Sequence, residues 1–355
     1  MNLKGLILSG GTGSRLRPIT HTSAKQLVPV ANKPVLFYGI ESLRNAGITD
    51  IGIVVGDTAA EIEDAVGNGS RWGVNITYIP QEAPLGLAHA VLTAEEFLGD
   101  SNFVMYLGDN LLRDGIKDLV DSFVKNAPDA LILLQEVPNP EAYGVAEVKD
   151  GQVVRLVEKP KKPKSNLALV GIYMFTPAIH KCTKAIKPSP RGELEITDAI
   201  QCLIDEGKRV EPHVVQGWWK DTGKLEDMLE ANRLILDALD TDIRGVVLNS
   251  KIHGRVIIEE GASVNNCTIR GPVIIGERTV VHDCYIGPYT SIYSDAEIRN
   301  SEIEHSIILE QSKVLDLGGR MEGSLIGKNV EIVRLNTKPK AYKFMVGDNS
   351  WIGIV

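Results

Sequence analysis

Leu6-Ile7-Leu8-Ser9-Gly10-Gly11-Thr12-Gly13-Ser14-Arg15-Leu16-Arg17-Pro18 stands near the start of the chain. A short apolar run ending in glycines reads as a buried strand over residues 6–9, followed by a loop. Glycine carries no Cβ, so the backbone can approach a phosphate closely and turn its amides toward the oxygens. Arg15 adds a charged fork to Gly10, Gly11, Thr12 and Gly13. A tight turn joining strand to helix would use the same residues, so both readings stand at this point. Two familiar phosphate loops are excluded. A Rossmann fingerprint would need glycine at Leu16, and a Walker A loop would need a Gly-Lys-Ser/Thr that does not follow.

Outward from this stretch, apolar runs at residues 51–55, 76–79, 103–107 and 130–135 read as further strands. Helical patterns lie between them at 34–46, 59–66, 87–97 and 116–125. In the first helix Leu36, Ile40 and Leu43 repeat at i, i+4 and i+7, with Pro34 near the start and Gly47 past the end. Near-continuous apolar strands alternating with helices predict an α/β fold with a mostly parallel sheet covered on both faces. Such sheets bind ligands at the carboxyl ends of their strands. From 144 to 175 the chain turns β-rich around Asp150-Gly151, either a sugar-binding subregion or an antiparallel extension.

Beyond residue 245 a repeat takes over. Ile258, Ile275, Ile292 and Leu309 are 17 residues apart, as are Val247, Val264, Val281, Ile298 and Leu315, and Ile252, Ile269, Ile286 and Ile303. Three apolar series returning together describe a three-sided coil that must stack on its neighbours to bury its interior. The pattern resembles the hexapeptide-repeat left-handed β-helix. Cys267, Cys284 and Ser301 share one phase and are expected inside. Residues 316–323 break the period and read as an exposed loop, after which Ile326 resumes it.

With 355 residues, two domains are expected, over 1–240 and 241–355. A net charge of -8 argues against nucleic acid bound through a basic surface, while locally focused cations can still hold anions. No stretch approaches the ~20 apolar residues of a membrane span, and the N-terminal apolar run is too short for a signal peptide. The expected home is the cytoplasm. The four cysteines show no Cys-x-x-Cys spacing, which disfavours zinc and redox motifs.

The opening continues through Arg15-Leu16-Arg17-Pro18 to Lys25, Leu27-Val28-Pro29 and Lys33-Pro34. Later come Gln81-Glu82-Ala83-Pro84-Leu85-Gly86-Leu87-Ala88, Leu107-Gly108-Asp109-Asn110, Tyr143-Gly144, Glu158-Lys159-Pro160, Arg191-Gly192-Glu193 and Trp218-Trp219-Lys220-Asp221-Thr222-Gly223. In order and spacing these resemble the nucleotidylyltransferases that activate sugar 1-phosphates, across the whole N-terminal part. The resemblance implies a Rossmann-like nucleotidyltransferase domain with a mixed, mostly parallel sheet, followed here by the left-handed β-helix. It implies in-line attack of a sugar phosphate oxygen on the α-phosphorus of a nucleoside triphosphate, with pyrophosphate leaving. Together with the β-helix, it points to the long-form branch that uses dTTP and glucose 1-phosphate, a UTP-using branch being the alternative.

By the same resemblance Asp109 and Asp221 hold Mg2+, an ion that favours carboxylate and phosphate oxygens. Arg15 and Lys25 meet the nucleotide phosphates. Gln81 and Gly86 read the base edge, and Leu8 packs on its face. Lys159 and Arg191 meet the sugar phosphate. Tyr143, Glu158, Trp219 and the backbones of Gly144 and Val170 meet the sugar. His89 stands where short-form relatives commonly carry glutamine; it reads as a helix-surface or packing residue and not a general base. β-Helices also carry acyltransferase sites built on a histidine, but His253, His282 and His305 share no 17-residue phase. Every phosphate and metal residue precedes 224, so the coils are expected to serve assembly or regulation and not the chemistry. A homo-oligomer is expected, with trimers through the β-helix one way to build it.

Overall fold

The computed structural model describes residues 3–354 apart from 12, 22, 336, 337 and 339–341. The opening strand, Leu3–Leu8, lies inside a nine-stranded sheet. It pairs in parallel with Asp50–Val55 on one side and Asn102–Leu107 on the other. Asn75–Pro80 extends the first side in parallel. On the second side Leu167–Phe175 runs antiparallel to Asn102–Leu107. It also pairs with Ala130–Glu136 and, through Ala168 and Val145, with the hairpin of Gly144–Lys149 and Gln152–Glu158. Val210–Val214 closes that edge in parallel with Ala130–Glu136. The 144–175 region is therefore an antiparallel extension of the main sheet.

Alternation along each strand supplies both faces. Leu6, Val54 and Met105 pack with Ala88, Val91, Ile200 and Leu203 on one side. Ile7, Ile53, Val104 and Tyr106 pack with Leu36, Ile40, Leu43 and Phe123 on the other. Each fully buried leucine, isoleucine, valine, methionine or phenylalanine among them contributes roughly 1.5–3 kcal/mol. The first helix is Val35–Asn45, and Gly47, at φ 83, follows its end. The helix expected over 87–97 is two pieces, Leu87–Thr93 and Glu95–Leu98, broken at the fully buried Ala94. Just before the break the Thr93 hydroxyl donates to the His89 carbonyl at 2.9 Å, a back-bond of the kind that competes with the helical ladder. Helices Ala178–Ala185 and Ile196–Asp205 are joined by a disulfide, Cys182–Cys202, with Cα atoms 5.7 Å apart. The absence of a Cys-x-x-Cys motif gave no sign of this pair.

The chain divides into two compact units. The first holds Met1–Thr12, Ser23–Leu27 and Val35–Asp221; the second holds Gly13–Thr22, Val28–Pro34 and Thr222–Val355. In the second, short strands stack into three parallel sheets of six, six and five, forming a left-handed β-helix. Ile258, Ile275 and Ile292 form one interior ladder, Val247 to Ile298 a second, and Ile252 to Ile303 a third. Cys267, Cys284 and Ser301 are buried as their phase requires.

The 17-residue count then fails. Ile292 pairs with Ile308 instead of Leu309, and Ile298 pairs with Val314 instead of Leu315, each one residue short of the period. The next steps, Ile303 to Met321 and Ile308 to Ile326, are one residue long. A residue is lost at the corner between Ile303 and Ile308, and two are gained between Leu315 and Arg320. Residues 316–323 are thus no full loop, since Arg320–Glu322 pairs with Glu302–Glu304. One corner carries its own marker. Asn249, Asn266, Asp283, Asn300 and Asp316 all hold φ between 42 and 58, the left-handed region that asparagine and aspartate tolerate best. Asp316 in that column falls one residue early, in step with Val314.

Helix Leu225–Leu236 joins this unit through Asn232, which has no exposed surface. Its Oδ1 accepts from Ala31 N–H at 2.8 Å and Ser291 Oγ at 2.6 Å, and its Nδ2 donates to the Tyr289 carbonyl at 3.0 Å. Asn32 Nδ2 donates to the Ile292 carbonyl at 2.8 Å. Ile19 packs beside Gly327. The second half of the opening glycine stretch therefore belongs with the coils.

Candidate active site

In the first unit the carboxyl edge of the sheet gathers most of the expected residues. The Leu8 carbonyl, at the end of the opening strand, accepts from Gly108 N–H at 2.9 Å, which sets Asp109 beside the strand-end glycines. Lys25, on the short 3-10 turn Lys25–Leu27, is almost wholly buried and forms an ion pair with Asp109. Burial pushes the Asp109 carboxyl up, but the Lys25 charge and hydrogen bonds from Lys25 and Asn110 outweigh it and hold the group below its ordinary value. Asn110 Nδ2 donates to Asp109 Oδ1 at 2.8 Å. Asn110 also pairs across a two-stranded ribbon with Asp221, so the two candidate metal carboxylates occupy neighbouring places.

Gln81 follows strand Asn75–Pro80, its N–H donating to the Val55 carbonyl at 2.8 Å. Its Oε1 stands 3.1 Å from where a Cβ on Gly10 would be, so glycine makes the room it occupies. Gly86 has φ 108, and a Cβ there would come within 2.7 Å of Leu194 N, so this turn requires glycine.

The residues expected on the sugar side gather around the antiparallel extension. Glu158 pairs with Gly144 across the hairpin, and the Thr197 hydroxyl donates to Glu158 Oε2 at 3.3 Å. Arg191 reaches Glu158 at 3.3 Å, Glu193 at 2.7 Å and the buried Glu195 at 3.4 Å. Burial, then the Glu195 charge, raises the Glu158 carboxyl against the pull of Lys159 and Arg191. Lys159 sits 3.8 Å from Glu158 and holds φ 39, a conformation that costs a residue with a Cβ about 1–3 kcal/mol. Val170 is fully buried at an irregularity in its strand, and the next residue, Gly171, faces Asn110 Oδ1. Trp219 Nε1 donates to that same Oδ1 at 2.5 Å, and its ring meets the edge of Tyr143 at 5.5 Å.

Of the remaining expectations, Gly11 is exposed near Gln26. Gly13, at φ 64, and the exposed Arg15, on the turn Ser14–Leu16, belong to the second unit. Thr12 lies outside the described residues. Four roles were missed. Asn110 bridges Asp109 and Trp219, Gln26 is buried beside Gly11, Glu195 loads the Glu158 carboxyl, and His89 Nδ1 lies 2.8 Å from Gln81 Nε2. Asn110 was signalled as part of a motif, Gln26 by following Lys25, and His89 by the departure at its position, although it was read as helix surface or packing.

The carboxyl edge of the mixed sheet carries close-packed glycines and a buried lysine–aspartate pair with a second aspartate beside it, an arrangement able to hold polyphosphates. The chain belongs to the Nucleotidyl transferase family, matched over residues 4–238, and is a nucleotidyltransferase. It is 54% identical over 350 residues to a Streptomyces griseus protein named glucose-1-phosphate thymidylyltransferase, covering 98% of each chain. A Streptomyces antibioticus protein of the same name is 55% identical, covering 99% of each. A solved UDP-glucose pyrophosphorylase complexed with UDP-glucose is 28% identical with a TM-score of 0.61, covering 67% of this chain and 100% of that one. No helix among the described residues is long and apolar enough to cross a membrane.

Proposed function

We propose that the chain transfers the thymidylyl group of dTTP to glucose 1-phosphate, giving dTDP-glucose and pyrophosphate. The observation that carries this reading is the convergence of Lys25, Asp109 and Asp221 on one sheet edge, with Gln81 against Gly10 on that same edge. A phosphate oxygen of the sugar phosphate forms the new bond to the α-phosphorus, and the α–β bridging bond breaks as pyrophosphate leaves. The nucleophile is already anionic, so no general base is needed. Charge and alignment are what the protein must supply.

Arg15 and Lys25 neutralise the triphosphate, while Lys159 and Arg191 hold the sugar phosphate. Glu158 and the Gly144 and Val170 backbones orient the hydroxyls, beside Tyr143 and Trp219. Asp109 and Asp221 offer hard oxygen donors that fit Mg2+, which when bound neutralises phosphate charge. Leu8, Gly10, Gly11, Thr12, Gly13, Gln81 and Gly86 take the nucleotide. The family match, ending at 238, supports a catalytic domain over 1–240, and the stacked strands beginning at Asp242 support a β-helix over 241–355.

The likeness to a UDP-glucose enzyme favours UTP as the second reading. Thymine adds one methyl to uracil, worth ~1–3 kcal/mol in a pocket. The test is kcat/KM for dTTP, UTP, CTP, ATP and GTP with glucose 1-phosphate at one Mg2+ concentration. dTTP should lead with UTP measurable; a leading UTP selects the second reading, and a leading purine sinks both.

A further inference from the structure

A glutamine amide is nearly the same shape turned over, yet turning it exchanges donor for acceptor. Something beside it must settle which end faces a ligand. At Gln81 that neighbour is His89, whose Nδ1 lies 2.8 Å from Nε2. With Nδ1 accepting, one Nε2 hydrogen is engaged. Oε1 and the second N–H hydrogen are left for recognition, and Oε1 lies over the bare Cα of Gly10. Both partners are fixed by backbone. Gln81 hangs from Val55 at the strand end, and His89 occupies the first turn of Leu87–Thr93 between the buried Ala88 and Ala90.

Thymine and uracil present a ring N–H flanked by carbonyls. An amide held this way accepts from that N–H and donates to a carbonyl. Cytosine presents a ring acceptor beside an amino donor, which suits the reversed amide. A loose Gln81 would serve both; a held one serves the imide alone. We propose that His89, as the tautomer that carries its proton on Nε2 and accepts at Nδ1, is a positioning residue for nucleobase selection, fixing the Gln81 amide so that it reads the imide edge. This rests on the assignment of Gln81 to the base.

The experiment measures kcat and KM for dTTP and CTP in wild type, His89→Leu, His89→Asn, Gln81→Ala and the double variant His89→Leu/Gln81→Ala. Leucine removes the acceptor, whereas asparagine places an amide oxygen near the position of Nδ1. His89→Leu should raise the dTTP KM about tenfold, leave kcat within about twofold, and cut the dTTP-over-CTP preference by a similar factor. His89→Asn should restore both. In the Gln81→Ala background His89→Leu should change nothing further. The inference is overturned if His89→Leu leaves the preference intact, if asparagine behaves as leucine does, or if the leucine effect is equal in both backgrounds. A Gln81→Ala variant with unchanged preference would instead remove the underlying base-reading role, and this inference with it.

Discussion

Methionine in place of Lys25 removes an ammonium that is only 8% exposed and leaves the Asp109 carboxylate, 21% exposed, without that counter-charge. Breaking a buried pair from one side costs about 3–5 kcal/mol. Water at the exposed fifth of Asp109 recovers part of this, so Lys25→Met should cost about 2–3 kcal/mol. Asp109→Asn leaves the more deeply buried charge, and its cost should lie nearer 3–5 kcal/mol. The double variant removes both charges and should cost less than the two single changes added together, with a coupling energy of about 2 kcal/mol. Urea unfolding followed by near-UV circular dichroism on the four proteins measures this, and all three variants should lose turnover. Single costs under about 0.5 kcal/mol, or costs that simply add, would refute the idea that this pair is a desolvated unit.

Glu195→Gln should let the Glu158 carboxyl fall toward its ordinary value, because one of the two causes that raise it is a charge being removed. The acid limb of kcat/KM for glucose 1-phosphate should then move to lower pH; a limb that stays put detaches Glu158 from sugar binding. A raised carboxyl also means that the folded state holds its proton more tightly. Wild type should therefore lose stability as pH rises through the Glu158 titration, by less in Glu195→Gln. In the coils, Val314→Ala should cost about 2 kcal/mol in thermal unfolding and Leu315→Ala under about 0.5, since only Val314 is fully interior. The opposite order would restore the uninterrupted 17-residue register.

The strands and most helices were legible because apolar period and punctuation agree at each of them, from Leu6–Leu8 through Leu36, Ile40, Leu43 and Gly47. The β-helix was legible for the same reason until its period changed, and Leu309 and Leu315 are apolar enough to disguise the shift. The left-handed Asp316 gave the correct count, but its meaning depends on a backbone conformation the sequence does not display. Motif residues within the first unit were found where neighbours in sequence identify them. Partners from elsewhere were not: His89 is eight residues and a glycine turn from Gln81, and Glu195 meets Glu158 through the Arg191 they share. Nor does any local pattern announce that Gly13–Thr22 groups with coils more than 200 residues later.

The corner edits of the β-helix bear on how such a chain can change over generations. Losing one residue between Ile303 and Ile308, or gaining two before Arg320, leaves the next coil seated on the last one. Each ladder is specified by strands of two or three residues, so a frame-preserving insertion or deletion at a corner is absorbed within one turn. The same event within Ile274–Ile275 or Val280–Val281 would turn interior side chains outward. Length variation among descendants of this gene should therefore collect at the three edges of the prism, one codon at a time, while its faces stay constant in length.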